Sequence, residues 1–475
     1  MSMRRPLLTL GLAAALLPAT ARTAEKGTPF APVADAVRAR TGREVRWQED
    51  AVARAENLRS VRALLKKPLN AGTAAQIALL NNPGLQATFE EIGVSAADLR
   101  EAGAWKNPTL DLSVRFPDRP PSGVNAEEAV IFNLLDLFMV PLRRRVAAEQ
   151  MQAAQLRVAD EALRLVAEVK GAVWRLQGDE QLTGRLKLVR DAASAGLDLA
   201  QKQHAAGNIT DLALMQQQAG YSQARIEVAM AEGETRAHRE KLTRLLGVWG
   251  SDTGWKVGGE LPPLPKSDPA LAGLESLAVA QRLDLAAARA ELGGVVRALG
   301  LTKAYRFVGA LEFGIDTERD TDRTNITGPQ LSVELPIFNQ GQARVSKAQA
   351  GLRRAERKFE ALAIGIRSEV RELHDQMVSK HEIAGFYRDE LLPGRIAILN
   401  QSLLFYNGML LGNYELFAAK TEELHAERGS IEALRDYWIA RAELERTLGG
   451  SITARPATTA SPPPPAPAKP SAHQH

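Results

Sequence analysis

Two hydrophobic periods alternate along the chain, a period of two in short stretches and a period of three to four in long ones. Leu110, Leu112 and Val114 alternate with polar residues, as in a strand that is wetted on one face. Residues 311–315 alternate in the same way. In the segment 352–377, apolar residues instead recur every three or four positions, which is the spacing of a long packed helix. Strands followed by a long helix therefore occur twice.

The second strand of each pair is expected to run directly into the long helix. Residues 328–350 (GPQLSVELPIFNQGQARVSKAQA) alternate up to Leu335 and then become helical without a turn motif, and residues 125–152 form a similar stretch. The charged residues at 115–128 and 316–328 are expected to form hairpin loops. Each long helix would have about 50 residues and a length of roughly 75 Å, more than a compact domain can hold.

Matches at a nearly constant displacement indicate an internal duplication. The segment that begins at Ala74 matches the one that begins at Leu274, and Val146 lies over Val345. The predicted divisions are a signal peptide over 1–21, an amino-terminal segment over 22–70, a first repeat over 71–247, a connector over 248–272, a second repeat over 273–450 and a disordered Pro- and Ala-rich tail over 451–475.

Composition narrows the classes of protein. Of the 475 residues, 45% are apolar but only 5% are aromatic, which is typical of long packed helices. The net charge of +4 is small for this length and indicates no nucleic-acid partner. The sequence has no cysteine, which excludes disulfides, thiolate metal sites, cysteine nucleophiles and an amino-terminal lipid anchor.

The amino terminus has the features of a secretory signal peptide. Arg4 and Arg5 precede an apolar run over 7–17, and cleavage is expected after the small residue Ala21. The run is too short for a membrane-spanning helix, which needs about 20 apolar residues. No later run reaches that length, so any membrane that the mature chain crosses would be crossed by strands.

Four strands in one chain cannot close a barrel, whereas three chains would supply twelve. With this duplicated plan, the chain resembles the TolC family of outer-membrane efflux channels from about 70 to 450. The motifs that carry the resemblance are NNPGL at 81–85, LSVELPIFNQGQARV at 331–345, ELLPGR at 390–395 and YNGMLLGNYELF at 406–417.

The resemblance implies a mainly α fold with a small β-barrel part. A homotrimer would place a twelve-stranded β-barrel in the outer membrane lipid of a Gram-negative cell and continue it as a long α-helical barrel through the periplasm. It would meet a periplasmic adaptor protein and an inner-membrane efflux pump. At 139–146 the first repeat reads MVPLRRRV, where family members often have glycines and a basic residue. Residues 139–145 are similar to the branch of the family that is associated with heavy-metal export.

The resemblance also assigns roles to single residues. Glu415 falls on the first acidic position of a channel gate, while Ala418 occupies the second. An ordinary exposed glutamate in a first helical turn is the alternative for Glu415. Gly207 and Gly408 are expected at the periplasmic tip turns that dock the adaptor. Pro393 and Gly394 are expected to kink a long helix, because proline lacks the amide donor; no catalytic, cofactor-binding or metal-binding residue is predicted.

The predicted function is a passive exit duct, with heavy-metal cations as the expected substrates. A multidrug or organic-solute channel of the same family and a periplasmic coiled-coil adaptor or scaffold without a barrel are the alternatives. An enzyme is disfavoured because the sequence lacks G-x-S-x-G, H-E-x-x-H and P-loop motifs. His473 and His475 in the tail leave a loose metal site open as a hypothesis.

Overall fold

The structure, a computed structural model, describes residues 28–119, 123–307, 309 and 311–450. The predicted signal peptide and the Pro-rich tail with His473 and His475 lie outside these residues. The helices are α1 (Ala31–Thr41), α2 (Ala51–Leu65), α3 (Ala71–Asn81), α4 (Pro83–Ala102), α5 (Asp136–Ala205), α6 (Asp211–Leu246), α7 (Leu274–Gln281), α8 (Leu283–Ala304), α9 (Gln342–Phe386), α10 (Leu392–Asn407) and α11 (Asn413–Thr447). The strands are β1 (Thr109–Arg115), β2 (Asn125–Asn133), β3 (Leu311–Arg319) and β4 (Asn325–Val333).

The duplicated plan is confirmed. In each repeat a helix pair leads to a hairpin, and the hairpin leads to long helices. The helix pair α3 and α4 corresponds to α7 and α8, and the hairpin β1 and β2 corresponds to β3 and β4. The long helix α5 corresponds to α9 with α10, and α6 corresponds to α11. A π-helical turn, Tyr387–Leu391, joins α9 to α10. The predicted mainly α fold class is therefore correct.

The NNPGL motif starts one helix and fastens it to another. Asn82 caps the amino terminus of α4 and Pro83 occupies its first turn, where the missing amide donor costs nothing. The Asn82 side chain also donates to the carbonyl oxygen of Leu245 at 2.9 Å. Asn81 Nδ2 donates to the carbonyl oxygen of Gly247 at 2.7 Å. The motif thus joins the beginning of the first repeat to its end.

The four strands form one antiparallel sheet in the order β1-β2-β3-β4. The strands are longer than predicted, because charged residues assigned to the loops belong to β1, β2 and β3; between β3 and β4 only residues 320–324 remain. Alternation carries Glu127, Asp316 and Glu318 onto one face of the sheet and Glu128 and Arg319 onto the other, and all of them extend the pairing instead of ending it.

The two passages from strand to helix differ. α5 begins at Asp136, two residues beyond β2, almost as predicted. In the second repeat the prediction of an unbroken passage is wrong, since eight residues, 334–341, separate β4 from α9. Pro336 within them has no amide to donate. Asn339 Oδ1 accepts from the amide of Gly341 at 3.1 Å, and Gly341 has a φ of 77°.

The long helices also differ from the predicted length. α5 has 70 residues, about 105 Å at 1.5 Å per residue, and it continues through Pro141. α9 has 45 residues before the π-helical turn. Within the part of the chain that the structure describes, no helix is both long and apolar enough to cross a membrane.

Two main clusters of buried side chains hold the helices together. The larger joins α1 to α4 against α5 and α6, with Val37, Phe89 and Leu176 in its interior. The smaller joins α7, α8, α9 and α11 around Ile366 and Tyr437. The amino-terminal helices therefore support the first repeat more than the second.

Candidate pore lining and helical tips

One face of the sheet is acidic. The register places Glu127 directly opposite Glu318, and it places Asp111 and Asp316 on either side of Ala129 in the next row. Side chains opposite each other in an antiparallel pair share a face, and Glu312 lies on the same face two rows further along. Five carboxylates and one arginine, Arg115, thus share this face, which we call the acidic face.

Part of this charge is compensated locally. Arg115 Nη2 donates to Glu127 Oε2 at 3.2 Å, and Asn125 Nδ2 donates to Glu318 Oε1 at 2.6 Å. Among the described residues, Asp111 and Asp316 have no such partner. Their row therefore carries uncompensated negative charge.

The opposite face of the sheet is apolar. Leu110, Val130, Ile315 and Leu331 lie on it, with Phe132 paired to Phe313. These side chains are exposed in the single chain, Leu331 to 64%. Glu128 and Arg319 are exceptions and lie toward the hairpin loops. A contiguous exposed apolar face of this kind indicates contact with lipid or protein.

The tip turns of the two repeats close in similar ways with different residues. Gly207 follows α5 with a φ of 75°, and the amide of Asn208 donates to the carbonyl oxygen of Gln203. Gly408 follows α10 but has a φ of −82°. Met409 takes the left-handed position, with a φ of 57°. Gly408 therefore lies at a tip turn, one residue before the structural counterpart of Gly207.

Glu415 lies in the first turn of α11, where its side chain is exposed. Its Oε2 accepts from the amide of Gly412 at 2.8 Å, which is one half of a capping box. The carboxylate thus stabilises the start of the helix next to the tip. Ala418, the position of the second expected acidic residue, lies one turn further along the same helix.

Pro393 and Gly394 lie in the first turn of α10, directly after the π-helical turn. Tyr387, the first residue of that turn, packs against Gly429 of α11. A Cβ atom at Gly429 would lie 2.5 Å from the Tyr387 ring. The interruption of the long helix therefore combines a proline with an aromatic side chain that occupies the place of a missing Cβ.

Four of the five described histidines, His204, His238, His374 and His381, lie beside carboxylates. His381 Nδ1 lies 2.8 Å from Asp268 Oδ2 of the connector, and its ring meets Tyr437 edge-on at 5.4 Å. Burial and the hydrogen bond to Asp268 raise the pKa of Tyr437 to about 12. His238 Nδ1 lies 2.5 Å from Asp179 Oδ2. Within the described residues, no group of three or more potential ligands is placed to hold a metal ion.

One partly buried carboxylate, that of Asp160, lies where the two repeats meet. Burial raises the pKa of Asp160, on α5, to about 6, and neighbouring Asp284 adds to this shift while Arg282 and Arg446 oppose it. Arg282 and Arg446 both bond Glu369 of α9. The junction of the repeats is therefore an ionic cluster in which burial raises the pKa of one acid.

The turns between the long helices, at Gly207 and Gly408, lie where the sequence predicts them, whereas the acidic face was not predicted. The alternation predicted the strands, yet the strand lengths and the pairing that place Asp111 and Asp316 in one row depend on contacts distant in sequence. The sequence did contain one indication of the longer strands. Glu127 and Glu318 continue the period of two into the segments that were predicted to be loops.

Comparisons with known proteins agree with this geometry. Residues 74–248 match the family model of outer membrane efflux proteins. One similar solved structure is that of CusC, a protein whose conformational changes accompany folding and transmembrane channel formation. It has 19% identity to this chain and a TM-score of 0.68, and the match covers 80% of this chain and 92% of that chain. A membrane protein from Pseudomonas aeruginosa has 20% identity and a TM-score of 0.67, with coverage of 82% and 92%. The outer membrane protein VceC from Vibrio cholerae has 15% identity and a TM-score of 0.65, with coverage of 82% and 96%.

A comparison with curated proteins found no match. At these identities the solved structures establish the fold across both repeats, and the family model supplies the family over the first repeat. The expected location in the outer membrane, with helices extending into the periplasm, is confirmed at the level of the family. Residues 74–248 therefore match the family of outer membrane efflux proteins in sequence, and the chain as a whole shares its fold with solved outer-membrane channels such as CusC and VceC.

Proposed function

We propose that the protein is the outer-membrane exit duct of a tripartite efflux system. The observation that carries the proposal is the sheet, which has one apolar face, one acidic face and edge strands β1 and β4 that each pair on one side only among the described residues. Unpaired edges are unfavourable in lipid, because their amides and carbonyls have no water to bond.

Three copies would satisfy these edges. β1 of one chain would pair with β4 of the next, giving twelve strands with the apolar faces outward and the acidic faces toward the lumen. The long helices would continue the barrel as a tube. Such a duct performs no bond chemistry, and an inner-membrane pump would supply the energy through a periplasmic adaptor docked at the tips, near Gly207 and Gly408.

Glu415 is the proposed gate residue. Three copies around the axis would repel one another and attract cations. Because the carboxylate also caps α11, Glu415→Gln is the sharper test, since glutamine can keep the capping bond while removing the charge. A higher leak current or a weaker cation preference is expected; unchanged currents would remove Glu415 from the gate.

Heavy-metal cations are the proposed substrates, and the acidic face supports cations in general. A multidrug or organic-solute duct is the alternative. Growth of a deletion strain with and without the restored gene, across graded copper, zinc, cobalt and cadmium and a panel of dyes and antibiotics, separates the two. Sensitivity to metals alone supports cation export, and sensitivity to organic compounds alone contradicts it.

Conduction through planar lipid bilayers tests the duct itself. In a potassium chloride gradient, the purified protein should give stepwise currents whose reversal potential is shifted toward the equilibrium potential of potassium. Asp111→Asn with Asp316→Asn should move that potential toward zero. Glu128→Gln, on the opposite face, is the matched control and should leave it unchanged. Absence of currents from correctly folded protein would contradict the proposed function.

A further inference from the structure

A wide cavity lies where the sheet meets the long helices. Its volume is about 1260 Å³, and it is bounded by Asn133 at the end of β2, Tyr305 after α8 and the first turns of α9. A space of this size can hold a solute larger than a single ion.

The cavity is strongly basic. Its charged lining consists of one carboxylate, Glu334, and five cations, Lys106, Arg306, Arg344, Lys347 and Arg354. In the part of the chain that the structure describes, none of these five side chains forms an ion pair, whereas many other arginines do; Arg357 on the same helix pairs with Glu360 at 2.8 Å. Unpaired cations that converge on one space raise the local concentration of anions.

The cavity lies on the lumen side of the proposed duct. Asn133 belongs to the acidic face, opposite Glu312, and Glu334 continues the alternation of Ser332, which belongs to the same face. On α9, Arg344 lies about 180° around the helix from Arg371 at 100° per residue. Arg371 pairs with Glu275 of α7, so the cavity opens away from the side that α7 covers.

We propose that this cavity is an anion-binding collar inside the duct, with polyvalent oxyanions as its ligands. The inference rests on the proposed function, because the lumen exists only in the assembled channel. Arginine and lysine bind phosphate-like oxygens through charge-assisted hydrogen bonds, and three copies would supply fifteen cations around one axis. A solute leaving the tube would cross a basic zone first and the acidic faces of the strands next. The two zones favour opposite charges.

Pyrophosphate is the probe that tests the collar. Added to the channel in planar bilayers at constant ionic strength, it should reduce the current in a saturable way, whereas acetate should not. A triple variant that combines Arg344→Gln, Lys347→Gln and Arg354→Gln should weaken this block by about tenfold or more. A tenfold loss corresponds to about 1.4 kcal/mol, the scale of one lost charge-assisted hydrogen bond. Arg357→Gln, outside the cavity, is the matched control and should retain the block.

The outcomes separate this proposal from the proposed function. A conducting channel without pyrophosphate block, or with equal block in the triple variant, overturns the collar and leaves the duct intact. If the protein does not conduct, the proposed duct is contradicted. The collar is then tested by comparing the unfolding temperature of the detergent-solubilised protein with and without pyrophosphate. A rise that the triple variant loses supports the site, and no rise or an equal rise overturns it.

Discussion

The two repeats share one plan but differ in how continuous their long helices are. α5 runs for 70 residues through Pro141, whereas the second repeat divides the same length into α9, a π-helical turn and α10. The prolines lie at different places, since Pro141 is close to the start of α5 and Pro393 follows directly after the π-helical turn. The first repeat is supported by α1 to α4 along α5, and the second has mainly α7 and α8. The two repeats therefore differ both in the continuity of the long helix and in the packing beside it.

The largest difference between the repeats should appear at Phe89. Phe89 is fully buried and meets Phe30 edge-on at 4.9 Å, while its counterpart at a displacement of 200 is Arg289, which is exposed. Phe89→Ala should lower the free energy of unfolding by about 3–5 kcal/mol. Arg289→Ala should cost less than about 1 kcal/mol, since it loses only an exposed contact with Phe359. Urea unfolding in detergent measures both, and equal costs would contradict the unequal support of the repeats.

The next effect concerns the junction of the repeats and depends on pH. The folded-state pKa of Asp160 is about 6, above its ordinary value, so the folded state binds the extra proton and the stability falls as pH rises through 4 to 6. Asp160→Asn should therefore raise the free energy of unfolding at pH 7.5 by about 1–3 kcal/mol and change it little at pH 4. A stability gain of the same size at both pH values would contradict the buried charge as its cause.

An effect of similar size is expected at the π-helical turn. Gly429→Ala places a methyl group against the Tyr387 ring and should destabilise the protein by about 1–3 kcal/mol. Gly385→Ala, on α9 with open space around it, is the control and should stabilise by about 0.5–1 kcal/mol. In a protein that already carries Tyr387→Ala, Gly429→Ala should cost much less stability than it does in the unchanged protein, because the clashing ring is gone. If Gly429→Ala costs the same in both backgrounds, the two residues are not coupled.

The smallest effects should separate the two tips. Met409 holds a left-handed conformation that costs a residue with a Cβ atom about 1 kcal/mol. Met409→Gly should therefore raise the stability by up to that amount, and Gly207→Ala should lower it by a similar amount. A Cβ atom at Gly207 would meet only open space, and Met409 is 95% exposed, so changed contacts contribute little. Thermal unfolding in detergent checks the opposite signs, and the same sign for both would contradict the backbone explanation.

The sequence by itself determined the elements and their order. The period of two in β1 and the period of three to four in α9 are local properties, and so are the caps at Asn82 and the breaks near Gly207 and Pro393. Each depends on residues within one or two turns, which is why the strands, the long helices and the turns between them could be predicted without a structure.

Only the tertiary structure decided which side chains meet. The row of Asp111 and Asp316, the late start of α9 beyond Asn339, the Tyr387 contact with Gly429 and the basic cavity all join segments far apart in the chain. Register and packing are settled by these distant partners, since a shift of one residue moves every side chain of a strand to the other face. The chemistry of the lumen therefore follows from pairing that no local pattern specifies.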